Sequence, residues 1–203
     1  LNPEQSTPTT ATSTVGVSET ILFADDFSDT SSGWPLLQND QGRYGYFEDG
    51  YHIAVYQPNA ILWAKTNRID ADISISVDAR LTTSGVNGYY GLLCRIQDNS
   101  NFYYFVIQPN GTYTIGKYKD GDFHPFLTDG WRYSEAINQN GQTNRLKADC
   151  AGNILRFYAN SILLGETADA DFSSGFSGLV AAALDPQTFE AVFNHFLITA
   201  SGQ

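Results

Sequence analysis

From Asp72 to Leu81 the chain alternates polar and apolar residues without a fault. Ile73, Ile75, Val77, Ala79 and Leu81 fall on one side; Asp72, Ser74, Ser76, Asp78 and Arg80 fall on the other. A period of two belongs to an antiparallel strand with one face on a core and one in water. The same pattern predicts strands over 21–27, 43–48, 51–56, 60–65, 88–97, 101–108, 112–119, 144–151, 153–159, 161–166, 176–184 and 188–199. Between them stand Asp49-Gly50, Pro109-Asn110-Gly111, Asp120-Gly121, Asn140-Gly141, Ala151-Gly152-Asn153 and Asn160-Ser161. Gly and Asn enter the positive-φ conformations that tight hairpins need, so these read as turns. Pro109-Asn110-Gly111, between two aromatic strands, is the strongest hairpin signal. Asn110-Gly111-Thr112 is also a glycosylation sequon, although the turn alone accounts for Asn-Gly. A short helix is credible only over 132–138. So many short strands in one domain predict an all-β, two-sheet antiparallel sandwich.

Residues 1–20 differ in kind. They are rich in Ser, Thr and Pro, with Leu1, Ala11, Val15 and Val17 as their apolar residues. Such a stretch buries too little to offset its ordering entropy and reads as a disordered tether ahead of a single domain over 21–203. The chain begins at Leu1, contains no Met and lacks a charged-then-apolar leader. The expectation is a processed or trimmed polypeptide, extracytoplasmic, secreted or anchored to the cell surface through the tether.

Composition narrows the function. The aromatic share is 14%, with 12 Tyr, 13 Phe and 18 Gly, which suits strands better than helices. Net charge is −11, and the 11 Lys and Arg do not cluster. A phosphate backbone or an anionic membrane surface would repel this chain, so neither nucleic acid nor membrane is an expected partner. No apolar run is long enough to span a bilayer as a helix. A chain of this size buries about 70% of its unfolded surface and needs no metal or crosslink merely to have a core.

Cys94 and Cys150 are the only cysteines, and alternation puts both on apolar faces, with Leu92 and Ile96, and with Leu146 and Ala148. Two readings stay open: buried thiols acting as small hydrophobes, or a disulfide joining neighbouring strands in an oxidising compartment. Two Cys without a third make a zinc site improbable.

Several segments resemble the concanavalin A-like lectin and glucanase superfamily, including its laminin-G-like members. They are Phe23-Ala24-Asp25-Asp26-Phe27-Ser28 with Ser32-Gly33-Trp34, Gly91-Leu92-Leu93-Cys94-Arg95 with Asn101 to Ile107, Asn144 to Cys150 with Asn153 to Asn160, and Asp171 to Gly175 with Phe193-Asn194-His195-Phe196. The resemblance spans roughly 21–200 and is also similar to tethered bacterial surface proteins of unassigned function. It implies a jelly-roll sandwich and a prior for sugar binding; a fold does not by itself bring a ligand. It further implies a possible structural calcium where the first and last strands meet. The matching positions are Asp25, Asp26 and Asn194, the last a neutral residue where relatives often carry Asp.

Enzymatic chemistry finds little support. Laminarinase-type relatives use closely spaced carboxylates on one strand. The six Glu here stand at 4, 19, 48, 135, 166 and 190, none within ten residues of another. Asp70/Asp72 and Asp120/Asp122 have two-residue spacing but read as solvated turn carboxylates. No Gly-x-Ser-x-Gly elbow and no phosphate-binding glycine loop occurs, and His52, His124 and His195 are isolated in sequence.

The remaining signal is aromatic excess. In Phe102-Tyr103-Tyr104-Phe105-Val106-Ile107 one face must be core, so the other also carries large rings. Rings stack on the C–H faces of sugars while polar groups hold the hydroxyls. Candidate ring contacts are Trp63, Tyr89, Tyr90, Tyr103, Tyr113, Tyr118 and Trp131. Arg95 and Lys117 are candidate donors beside them, and Asp149 a candidate acceptor. Ordinary sandwich packing explains each of these residues too. The first reading is a non-catalytic carbohydrate-binding, lectin-like module. The second is a protein-interaction or sensor domain on the same fold, and the third a glycoside-processing enzyme.

Overall fold

The computed structural model describes residues 19–201. Residues 1–18, which make up nearly all of the expected tether, lie outside them. Sixteen strands and no helix form in the described chain. They are β1 (Ile21–Asp25), β2 (Leu37–Asn39), β3 (Gly42–Phe47), β4 (Gly50–Val55), β5 (Ala60–Asp70), β6 (Ile73–Leu81), β7 (Gly88–Asp98) and β8 (Asn101–Ile107). The second half adds β9 (Thr112–Lys119), β10 (Asp122–Pro125), β11 (Arg132–Tyr133), β12 (Asn144–Ala151), β13 (Ile154–Ala159), β14 (Ile162–Ala168), β15 (Gly175–Ala183) and β16 (Phe189–Ala200).

Two antiparallel sheets pack face to face, the arrangement of the jelly roll. The nine-stranded sheet runs β14-β13-β12-β6-β16-β4-β3-β2, with β1 also on β16. The seven-stranded sheet runs β10-β9-β8-β7-β15-β5, with β11 also on β9. Strand β16 is long enough to hold β4 along Phe189–Phe193 and β1 along Phe196–Thr199, end to end on one edge. Its register to β6 shifts between Asn194 and Leu197, where His195 takes a positive φ of 50°. This is a β-bulge, which lets one strand serve two partners.

Alternation fills the space between the sheets. Ile53, Val77, Phe157 and Phe193 point in from the nine-stranded sheet; Leu92, Phe105, Ile115 and Leu179 point in from the other. Each is wholly or almost wholly buried, and each such side chain contributes about 1.5–3 kcal/mol. The expected faultless strand is β6, with Ile73, Ile75, Val77, Ala79 and Leu81 in this core.

Three expectations change. The helix over 132–138 is absent: Arg132 and Tyr133 pair with Tyr113 and Thr112 as β11, and a turn closed by Ile137 N–H on the Ser134 carbonyl follows. The ladder on β9 and the burial of Ile137 outweigh local propensity. Second, Cys94 and Cys150 are joined, but from β7 to β12 in opposite sheets, not between neighbouring strands. Both point into the core, so the bond crosses the sandwich and links positions 56 residues apart. Third, β7 does not alternate to its end. Its register against β8 shifts after Cys94, and Arg95 takes a φ of 52°.

Candidate functional site

The two sheets present outer faces of opposite chemistry. On the nine-stranded sheet the outward positions are charged and paired. Arg43 meets Glu190 at 2.9 Å, Arg145 meets Asp78 at 3.3 Å, Lys147 meets Asp149 at 3.3 Å and Arg156 meets Glu166 at 2.6 Å. On the seven-stranded sheet Leu93, Ile96, Phe102, Tyr104, Val106 and Val180 form a second apolar cluster, outside the sandwich core. Trp63, Tyr89, Tyr118, Trp131 and Phe176 pack against it, half-buried.

Period-two alternation on β8 builds this face. Tyr103, Phe105 and Ile107 take the core side, so Phe102, Tyr104 and Val106 must take the other. Neighbouring strands extend the rings into a track. Trp63 on β5 stands 6.1 Å from Phe102, Phe102 5.1 Å from Tyr118, Tyr118 4.6 Å from Phe123, and Phe123 5.6 Å from Tyr104 (ring centroids). Beyond Tyr104 the track opens into a depression of about 280 Å³, lined by Tyr89, Tyr104, Val106, Thr114, Phe123, Pro125, Gly130, Trp131 and Leu184. Tyr89 and Trp131 close its far side with centroids 5.9 Å apart. Burial pushes the phenols of Tyr89 and Tyr104 well above their ordinary range, so both stay neutral hydroxyls. Thr114 is buried, and its hydroxyl has no hydrogen-bond partner. No carboxylate or cation lines the depression.

The residues expected to act together separate. Trp63, Tyr89 and Trp131 share the aromatic face, as does Tyr118. Tyr103 instead lies in the core, donating to Asp169 Oδ1 at 2.6 Å and accepting the Phe172 N–H at 3.1 Å. Tyr90 and Tyr113 are core residues as well. Arg95 is 1% exposed and turned from the rings by the bulge. Its guanidinium donates to the carbonyls of Ala71, Gly152 and Phe172 and to Asp72 Oδ1. It knots three loops at one end of the sandwich. Lys117 points to the opposite side of β9 from Tyr118, where Asp169 and Asp171 each hold its ammonium at 2.6 Å. Asp149 sits on the other sheet, accepting from Ser74 Oγ at 2.5 Å. Phe123 was not singled out by sequence because β10 is exposed throughout and shows no alternation.

The calcium positions do not converge either. Asp25 and Asp26 line a depression of about 550 Å³ with Asp29, Ser32, Arg145 and His195, beside the apolar Ala24, Phe196 and Leu197. Asp25 is already engaged by the Phe27 N–H at 2.7 Å and by Ser32 Oγ at 2.5 Å. Asp26 accepts the Ser28 N–H at 3.0 Å and Ser28 Oγ at 2.7 Å. Asn194 turns its amide to the Asp49 carbonyl. With the Arg145 guanidinium also present, these residues do not fit a shell of six to eight oxygens. Among the described residues no group of three His, Cys, Asp or Glu is placed to hold a metal.

One titratable cluster escaped sequence reading. His52 on β4 bridges Glu190 on β16 (Nδ1 to Oε1, 3.0 Å) and Asp49 (Nε2 to Oδ1, 2.7 Å). The bond from His52, outweighing burial and aided by Arg43, pulls Glu190 down to about 2. Burial opposes charge on His52, but its two carboxylate partners outweigh it and raise the imidazole above its usual value. Phe47 covers the imidazole, with centroids 4.6 Å apart. Both ring nitrogens are occupied, so the cluster acts as a clasp between β4 and β16.

No protein-family model and no curated protein matches the sequence. Solved structures do. A carbohydrate binding module of Bacillus subtilis, CBM66, aligns with a TM-score of 0.69 over 83% of this chain and 96% of its own, at 18% identity. A Bacillus subtilis protein of unknown function with a galectin-like fold aligns with a TM-score of 0.66 over 90% and 98%, at 12% identity. The β-glucanase of Bacillus licheniformis follows with a TM-score of 0.60 over 89% and 98%, at 9% identity. These likenesses establish the concanavalin A-like jelly-roll fold.

Proposed function

We propose that this domain binds carbohydrate without cleaving it, through the outer face of the seven-stranded sheet. The observation that carries this reading is the ring track from Trp63 to Tyr104, ending in the depression closed by Trp131. Rings already packed against one another are rigid, so little entropy is lost when a sugar stacks on them. Neutral hydroxyls of Tyr89 and Tyr104 supply polar contacts without charge. Hydrolysis of a glycoside calls for two carboxylates about 5–10 Å apart across the scissile bond, and the depression is lined by none. The likeness to a carbohydrate binding module points the same way; that to a β-glucanase is one of fold. The disulfide suits an oxidising compartment, which supports an extracytoplasmic module displayed by its N-terminal segment. A shallow site of this kind binds weakly and gains from repeated presentation.

The test is a broad glycan array read with the wild-type chain and with Trp131→Ala. Binding to a defined glycan class that falls by about 10- to 100-fold in the variant, with an unchanged melting temperature, supports the reading. A blank array from folded protein sinks it and shifts the assignment of the aromatic face to a protein partner.

A further inference from the structure

Thr114 singles out the kind of sugar. It stands on β9 in the wall of the depression, 3% exposed, and its hydroxyl is unpartnered. A buried hydroxyl with nothing to bond is destabilising, and a ligand that reaches it removes that cost. Val106, Pro125 and Leu184 offer apolar walls, and the rings of Tyr89, Tyr104, Phe123 and Trp131 add apolar faces beside the two phenol hydroxyls. The volume, about 280 Å³, lies at the bottom of the range for ligand pockets and admits one sugar ring rather than a chain. Charge excludes a further class. Of the immediate chain neighbours of lining residues, Asp122, Asp129 and Asp185 are acidic and only Arg132 is a basic Lys or Arg. On a chain of net charge −11, uronic and sulfated sugars meet repulsion.

Resting on the carbohydrate reading above, we infer that the depression takes a neutral 6-deoxyhexose unit, its C6 methyl against Val106, Leu184 and Trp131 and one ring hydroxyl on Thr114. A hydroxymethyl in place of that methyl would press its hydroxyl against the side chains of Val106 and Leu184, which offer it no partner. Discrimination then comes from the missing oxygen, not from an added contact.

Matched methyl glycosides that differ only at C6 test this with the full-length chain by calorimetric titration: L-fucoside against L-galactoside, and L-rhamnoside against L-mannoside. The deoxy member of at least one pair is expected to bind about tenfold or more tighter. Thr114→Val, which keeps the side-chain shape, is expected to weaken that binding about fivefold or more without lowering the melting temperature. Equal or tighter binding of the hydroxylated members, or indifference to Thr114→Val, overturns the inference. If no monosaccharide binds but neutral oligosaccharides do, through Trp131, the deoxy-sugar assignment falls while sugar binding stands. If no glycan of any kind binds, both fall.

Discussion

His52 and Glu190 show what a pair of residues does that neither announces in sequence. They stand 138 positions apart and meet because β4 and β16 are neighbours in register. Alternation places His52 opposite the buried Tyr51 and Ile53, but only the strand order reveals the carboxylate beside it. The shifts fix the pH dependence. Glu190 is depressed from 4.5 to about 2, so its contribution is present above pH 4.5 and is lost as pH falls through the folded value. His52 is raised above 6.5, so its contribution is complete below pH 6.5 and fades as pH rises through the folded value. Stability from the clasp therefore peaks between about pH 4.5 and 6.5. Urea midpoints across pH should fall on both sides of that window; Glu190→Gln should flatten the acid limb and His52→Gln the alkaline one. Arg95 carries the complementary lesson. Alternation aimed it at the aromatic face, whereas a single bulge with positive φ buries it. Arg95→Met leaves the carbonyls of Ala71, Gly152 and Phe172 without their donor. It should cost about 2–4 kcal/mol in urea denaturation, with glycan affinity of the folded fraction unchanged.

At the level of strands, most of the sandwich was legible, because a period of two is itself the record of one buried face. Strands β6 and β12 carry that record in nearly every residue, whereas β8 is buried on both faces and reads as an unbroken apolar run. The short strands β2, β10 and β11 bury no face fully and so wrote no pattern. Pro125 in β10 is tolerated because that strand is an edge. The depression lies where β9 and β10 meet, so one wall of the site was hidden for the same reason. Gly116 on β9 sets the depth of that wall. A Cβ there would come within 2.2 Å of the Tyr104 hydroxyl and 2.7 Å of the His124 carbonyl. Tyr104 lies over β9 only because this position has no side chain. Gly116→Ala should push the ring outward, lower stability by about 1–3 kcal/mol, and weaken glycan binding more than it lowers the melting temperature accounts for. Parallel thermal melts and titrations of the one variant would show whether the two losses separate.

For the molecule as a whole, the two outer faces differ in kind: one carries ion pairs, the other an apolar cluster of rings and aliphatic side chains, and the proposed site rests on the second. Aromatic excess was visible in composition, but assigning each ring to core or surface required the sheet order. The crosslink between facing sheets acts on the whole sandwich. Reduction, or Cys94→Ala with Cys150→Ala, should lower the melting temperature by about 5–15 °C, as scanning calorimetry would read. The pairing of β1 with β16 has a mechanical consequence. Ile21 lies opposite Thr199, and the Ala200 N–H reaches the Thr20 carbonyl at 2.8 Å, so both described ends leave the sandwich side by side. A force drawing these ends apart loads the ladder as a zipper, one rung after another, rather than in shear across all rungs together. The domain should therefore begin to peel at low force. The stretch from Cys94 to Cys150 would stay looped behind its covalent bond, so the fully extended length would fall short by about 55 residues, or roughly 190 Å at 3.3–3.6 Å each.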